Sequence, residues 1–346
     1  MKRSLWTLRI LGALTAVLLC PLVLSGCGVV PQSREVGETT VLEILGAEPA
    51  GEDLYLRAAS AGRPGSPPER LASRGPSPAA AVERLFSGGF RPADCAHIEH
   101  ILLDASAGAL PQMLSYTFRE PQQSTESQLW IVRSTGLAPV FAKDQDPAQR
   151  MRVIKAAGKD RQGFRPVTLR EAARTLAQGD PLLVPALGLG PDGLDFIGYA
   201  LCRPGQPPVW LTGRYRLGAA LLLGDPIHWT GTAKGCALSL QSTRSELRLR
   251  EQNGILTGLD LVCHLEGVPV GGWQEADLSE LEGQIYQSLE GALTLCQQAG
   301  ADGAGLGRQA ALQDPWRWAK VSRQWETTFS TLPISVSVTI TVAERC

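Results

Sequence analysis

Ile334-Ser335-Val336-Ser337-Val338-Thr339-Ile340-Thr341-Val342 alternates apolar and small polar residues without a break. Successive side chains of a strand point to opposite faces, so this stretch predicts a strand with one buried face. Upstream, Leu278, Leu281, Ile285, Leu289, Leu293 and Cys296 recur at steps of three and four. That spacing places them on one stripe of a long helix. Neither apolar surface can be left in water, and the two are close in sequence. A C-terminal module is therefore expected in which the helix packs on the sheet that holds the strand. Trp318 and Trp325 stand about two turns apart on one helical face, and with Trp316 they are expected to close the core between helix and strand. Leu332-Pro333 gives the strand an extended approach, because proline disfavours helix at the residue before it. Asp314-Pro315 predicts a short helix, with Asp as N-cap and Pro as the first helical residue.

Working outward, Ala237 to Leu240, Glu246 to Arg250 and Gly258 to Leu265 read as three strands. Thr168 to Ala177 reads as a helix. Thr168 is its N-cap and Glu171, three residues on, completes a capping box. Asp146 to Ala157 is a second helix of this middle part. Leu182 to Leu187 and Asp195 to Cys202 read as strands. Pro204-Gly205-Gln206-Pro207 turns the latter back into Val209 to Leu211 as a hairpin. Nearer the N-terminus, Val41 to Leu45, Leu54 to Ala58, His97 to Leu103 and Gln128 to Val132 are strand-like. Ala79 to Phe86 and Gly108 to Phe118 are helix-like. The Gly-, Pro-, Ser- and Arg-rich stretch from Gly62 to Pro78 is expected to be a surface loop. The fold class is α+β: three mixed α/β domains with mainly antiparallel or mixed sheets. Their expected spans are residues 41–148, 149–228 and 229–346.

The start of the chain carries a different signal. Lys2, Arg3 and Arg9 form a positive segment, followed by an apolar run from Ile10 to Leu24. That run is about 15 residues long, short for a membrane span, which needs about 20. Leu24-Ser25-Gly26-Cys27 follows at once and resembles the bacterial lipobox. Residues 1–26 are thus expected to be a lipoprotein signal peptide, Cys27 the lipidation site, and 27–40 a tether. Each buried CH₂ of an acyl chain contributes about 0.8 kcal/mol, so a multiply acylated N-terminus holds firmly to a membrane.

Composition excludes several classes. The chain has 346 residues, 44% hydrophobic and 19% charged, with a formal net charge of −1. Those are globular proportions. Without Lys2, Arg3 and Arg9 the charge is near −4, and there is no basic stripe for nucleic acid. Cys95, Cys202, Cys236, Cys263, Cys296 and Cys346 show no CxxC pair or regular spacing, and are expected mostly as small buried residues. His97 and His100 fall on opposite faces if both lie on one strand, which argues against a metal site. Gly303-Ala304-Gly305-Leu306-Gly307 lacks GxGxxG spacing and reads as a plain loop. No GxSxG occurs, and Ser25 and Ser330 have no triad context. No catalytic, cofactor-binding or metal-binding residues are expected.

Several segments together resemble the Ger(x)C family of spore-germination lipoproteins. The most specific is Asp314-Pro315-Trp316-Arg317-Trp318, Trp325-Glu326-Thr327-Thr328-Phe329 and Leu332-Pro333-Ile334-Ser335-Val336. Ala301-Asp302 with Gly305-Leu306-Gly307 is similar to the family's Asp and Phe-Gly-Phe-Gly element, without its phenylalanines. Ala96-His97, Pro166-Val167-Thr168-Leu169, Asp180-Pro181, Val184-Pro185-Ala186, Gly198-Tyr199-Ala200-Leu201, Trp210-Leu211-Thr212-Gly213 and Leu221-Leu222-Leu223-Gly224 follow in the family's order. Gly28-Val29-Val30 stands where Trp-Asp is usual, and the terminal strand is Ser/Thr-rich where many members are basic.

The resemblance implies a lipid-anchored, non-enzymatic subunit of a nutrient germinant receptor. Its implied partners are the membrane, through the lipid, and two integral membrane subunits, with no nucleic acid. Its implied place is the outer face of a bacterial membrane, the spore inner membrane. Germinant binding by this subunit stays open. The alternative is a solute-binding lipoprotein of a transport system, which would want two lobes of repeated βαβ units.

Overall fold

In the computed structural model the described residues run from 39 to 343, apart from 61–66, 89–92, 106–109, 111–112, 115, 117–123, 135, 143–144, 159–163, 226–227, 234–235 and 271–274. The leader, Cys27 and nearly all of the tether lie outside them. Three antiparallel strands come first: β1 (Thr40–Ala50), β2 (Asp53–Ser60) and β3 (Arg70–Gly75). Helix α1 (Pro78–Ser87) follows, then β4 (Ala93–Asp94), β5 (His100–Asp104) and β6 (Gln128–Arg133). Next come α2 (Pro147–Ala157), β7 (Val167–Thr168), α3 (Leu169–Ala177), β8 (Leu182–Gly190), β9 (Gly193–Arg203) and β10 (Gln206–Thr212). After a 3₁₀ turn at Gly213–Tyr215, α4 (Arg216–Leu223) leads to β11 (Trp229–Ala233), β12 (Cys236–Gln252) and β13 (Ile255–Pro269). The chain closes with α5 (Glu275–Gln298), α6 (Leu306–Gln313), α7 (Pro315–Thr328) and β14 (Ile334–Val342).

Two sheets result, in an α+β fold. The larger runs β10-β9-β8-β6-β5-β1-β2-β3, with β4 on β1 and β7 on β6. Its centre is parallel: β1 pairs β5, β5 pairs β6, and β6 pairs β8 in the same sense. Central parallel strands are covered on both faces and read as continuous apolar runs. Ile101-Leu102-Leu103 shows this, buried throughout and divided between two cores: Ile101 and Leu103 face one, Leu102 the other. Antiparallel hairpins flank this centre on both sides. Strands from residues 40–133 and from 167–212 share one sheet, so the division expected after residue 148 falls within a single hydrogen-bonded layer.

The smaller sheet has the order β11-β12-β13-β14. β14 is not an isolated strand: it lies parallel to β13, in register from Leu259↔Ile334 to Gly267↔Val342 without a shift. The helices α5, α6 and α7 form the crossover between them. One core continues from the larger sheet (Trp130, Phe196, Tyr199) into this module (Leu261, Ile285, Leu289, Trp325). Two similar lobes of βαβ units, as a solute-binding protein would have, do not occur among the described residues. No helix among them is long and apolar enough to cross a membrane.

Local chemistry explains most elements. Thr168 caps α3, its hydroxyl accepting the Glu171 N–H at 3.1 Å. Asp314 caps α7 by accepting the Arg317 N–H at 3.0 Å, with Pro315 in the first turn. Four expectations need correction. The stretch from Gly62 to Pro78 is not all loop: Arg70–Gly75 is β3, held by β2 and by α1, whose Ala81 carbonyl accepts the Ser73 hydroxyl at 2.6 Å. The two strands expected between Ala237 and Arg250 are one, β12, which crosses the polar residues between them with a register shift at Leu240/Ser242. His97 sits in a turn before β5, not on the strand. Leu306 and Gly307 open a helix, α6, where a plain loop was expected.

Candidate functional site

Cys27, the expected lipidation site, lies outside the described residues. Within them, the sequence elements singled out around Asp302 and the tryptophans meet in one place. The chain leaves α5 at Gly300 and turns sharply before α6. Asp302 stands in that turn, half-buried as a residue with its carboxylate turned inward. Its Oδ1 accepts the Leu306 N–H at 2.8 Å, and its Oδ2 accepts the Gly307 N–H at 2.8 Å and the Trp325 indole N–H at 3.0 Å. One carboxylate thus caps α6 and fastens α7. Burial pushes its carboxyl above the usual carboxylate range, and the converging N–H groups pull the other way.

The glycines around it are explained by close approach. A Cβ on Gly307 would stand 2.7 Å from the Trp325 Nε1 and 2.9 Å from the Trp318 ring, so only glycine lets the indoles lie on the helix start. Gly305, at φ +67°, makes the left-handed turn into α6. The Gly303 carbonyl accepts the Leu183 N–H at 3.1 Å, which ties the turn to β8 of the larger sheet. Trp318 and Trp325 meet edge to face at 5.4 Å, and Trp325 continues to Phe329 at 5.2 Å. The tryptophans therefore pack on the α6 turn, not between α5 and β14 as expected. A helical stripe states that a surface is buried, not against which element. Trp316 departs further, with 85% of its surface exposed.

Beside this turn lies an open cleft of about 800 Å³. Its lining includes Arg174 of α3, Gln178 just after it, Arg308 and Gln309 of α6, and Trp318 and Trp325 of α7. Gln309 donates to the carbonyls of Leu222 and Ala304, at 3.1 and 3.3 Å, so it is structural. Asp225, also in the lining, accepts the Tyr199 hydroxyl at 2.9 Å and the Arg165 N–H at 3.0 Å. Burial raises the Asp225 carboxyl above its ordinary range and raises the Tyr199 phenol well above its own. The cleft lining contains no serine, cysteine or histidine. Its charged and polar side chains, Arg174 and Arg308 among them, can recognise a group.

The histidines do not converge. His97 is exposed, 3.9 Å from the Asp94 carboxylate. His100 is buried edge-on to Trp130, with ring centroids 6.1 Å apart, and neither of its nitrogens has a hydrogen-bond partner. Burial, with Lys155 nearby, lowers its pKa to about 4. Cys95, Cys202, Cys263 and Cys296 are buried. Burial pushes the Cys202 and Cys296 thiols up to about 12, so they stay unreactive packing groups.

A second junction joins the two sheets. The Ser288 hydroxyl of α5 accepts the Gly218 N–H at 2.8 Å and donates to the Arg214 carbonyl at 2.5 Å. Helix α4 thereby touches α5 backbone to backbone. Sequence reading gave no sign of Gly218, since a glycine needed for close approach has no local signature.

Comparison with known proteins agrees with this geometry. Residues 276–345 match the family model described as "Spore germination B3/ GerAC like, C-terminal". That span runs from α5 through the Asp302 turn and the tryptophans to β14. Among solved structures, the crystal structure of the GerBC protein matches with a TM-score of 0.57 at 15% identity, covering 87% of this chain and 97% of that one. That likeness is one of fold. None of the curated proteins matches. The family-model match bears out the resemblance to the Ger(x)C family over residues 276–345, and the GerBC match agrees with it in fold.

Proposed function

We propose that this chain is the C subunit of a nutrient germinant receptor in spore germination, lipid-anchored through Cys27 and non-catalytic. The observation that carries the reading is the match of residues 276–345 to the GerAC-like C-terminal family. The fold shared with GerBC supports it. So does the turn at Asp302, whose buried carboxylate is spent on helix capping and the Trp325 indole, a structural task rather than a chemical one. In this reading Leu24-Ser25-Gly26-Cys27 is processed and acylated, residues 28–40 are the tether, and three α/β segments stand on the outer face of the spore inner membrane. There they assemble with two integral membrane subunits.

Two experiments test the proposal. Cys27→Ala should abolish labelling by a palmitate analogue and release the protein from membranes; normal labelling would sink the anchor. Tagged chain co-expressed with the two integral membrane subunits of a germinant receptor should recover both from detergent extracts. Recovery of neither, with the chain folded and membrane-bound, would overturn the role in a receptor complex.

A further inference from the structure

The two sheets end in β3, β10, β11 and β14. An open sheet edge offers unpaired N–H and C=O groups, and proteins blunt such edges with proline, charge, bulges or short strands. Three of these ends are blunted. β10 carries Pro207 and Pro208 and a register shift after Gln206. β3 has six residues, with Arg70 and Arg74 among them, and β11 has five. β14 differs. It has nine residues, with no proline, no charge and no shift in register.

Its outer edge can be worked out from the backbone. In a parallel pair, alternate residues turn both backbone groups toward the partner. The Ala343 N–H donates to the Gly267 carbonyl, so Ser335, Ser337, Thr339 and Thr341 also face β13. Ile334, Val336, Val338, Ile340 and Val342 therefore turn theirs outward. Of these, the Ile340 N–H donates to the Glu282 carboxylate of α5 at 2.9 Å.

The apolar layer is also unfinished on this side. Leu259, Leu261 and Leu265 of β13 are buried, whereas Ile334, Val336, Val338 and Val342 of β14 are only half-buried. The layer lacks a strand beyond β14.

We propose that the missing strand is β14 of a second copy of this chain, paired antiparallel about Val338. The sequence is self-complementary in that register. Val338 meets Val338, Val336 meets Ile340, and Ile334 meets Val342 through the outward backbone groups. Ser337 meets Thr339 and Ser335 meets Thr341 on the exposed face. β-branched pairs and Ser–Thr pairs stabilise cross-strand contacts, and no like charges oppose each other. The two four-stranded sheets become one of eight. Glu282 must let go of the Ile340 N–H, so it opposes pairing.

The test uses the full chain in detergent. Sedimentation over a concentration series should show a dimer. Val338→Pro removes one outward N–H and keeps every bond to β13, since proline is tolerated on an edge strand. It should lose the dimer with an unchanged circular dichroism spectrum. Glu282→Ala should shift the dimer to lower concentration. Ser337→Cys/Thr339→Cys should form an intermolecular disulfide under mild oxidation, which the wild type does not. That measurement decides the matter if the proline variant fails to fold. A wild type that stays monomeric, a folded proline variant that still dimerises, or no new disulfide would each overturn the proposal. A monomeric wild type that assembles with the membrane subunits, where Val338→Pro does not, would assign the edge to a partner's strand instead and overturn self-pairing.

Discussion

The Asp302 carboxylate holds the Trp325 indole N–H at 3.0 Å while the same group caps α6 through Leu306 and Gly307. Three donors share the one carboxylate, so the indole bond is part of the same cluster that starts α6. Trp325→Ala should cost about 3–5 kcal/mol, the range for truncating a buried aromatic. Trp325→Phe keeps most of the ring and should cost less, losing chiefly the N–H bond. Urea unfolding of both variants checks this. Equal stability of Trp325→Ala and wild type would mean that the indole is not part of the core.

Trp316 serves as the contrast. It is 85% exposed, whereas Trp325, nine residues on in the same helix, is buried. Trp316→Ala should stay within about 0.5 kcal/mol of wild type, as surface substitutions do. A loss comparable to that of Trp325→Ala would show that the exposed ring is covered in the folded protein.

His100 gives the chain a pH dependence whose sign follows from its burial. Its folded pKa is about 4 against 6.5 for the free side chain. Below 6.5 the unfolded chain takes up a proton that the folded chain refuses, so stability falls as pH drops toward 4. The full difference amounts to roughly 3 kcal/mol at 1.36 kcal/mol per pKa unit. His100→Leu should flatten that part of the profile and be the more stable protein near pH 4. Denaturation curves between pH 7 and 4 would expose the error if both proteins showed the same slope.

Elements written in one dimension were legible in the sequence. The alternation of β14, the stripe of α5 and the caps at Thr168 and Asp314 each depend on neighbours a few residues away. What escaped depends on distant partners. Arg70–Gly75 has weak strand propensity, yet β2 sets its register and α1 covers it. Helix α6 hides behind glycines because its cap is a side chain from outside the helix, Asp302, and its turn needs Gly305 at positive φ. Trp318 and Trp325 could be read as neighbours, as they are, but not as packing on Gly307. Asp302 itself was marked only by family resemblance, since a lone buried carboxylate has no periodicity to betray it.

Two glycines on facing helices should respond to alanine with opposite signs. Gly218 of α4 lies against α5, where an added Cβ would stand 2.6 Å from the Leu289 Cα. Backbone cannot yield as a flexible side chain can. Gly218→Ala should therefore force the helices apart and cost about 1–3 kcal/mol, the usual penalty for overpacking. Gly283 lies inside α5, and a Cβ there would meet nothing within 4 Å. Alanine at that position should only relieve the conformational cost of glycine in a helix, a gain of about 0.5–1 kcal/mol. Backbone propensity alone predicts stabilisation at both sites, because both are helical. Opposite shifts in melting temperature would therefore isolate the close approach of α4 and α5 as the cause. A stabilised Gly218→Ala variant would show that this junction, which joins the two sheets, is looser than the backbone contact implies.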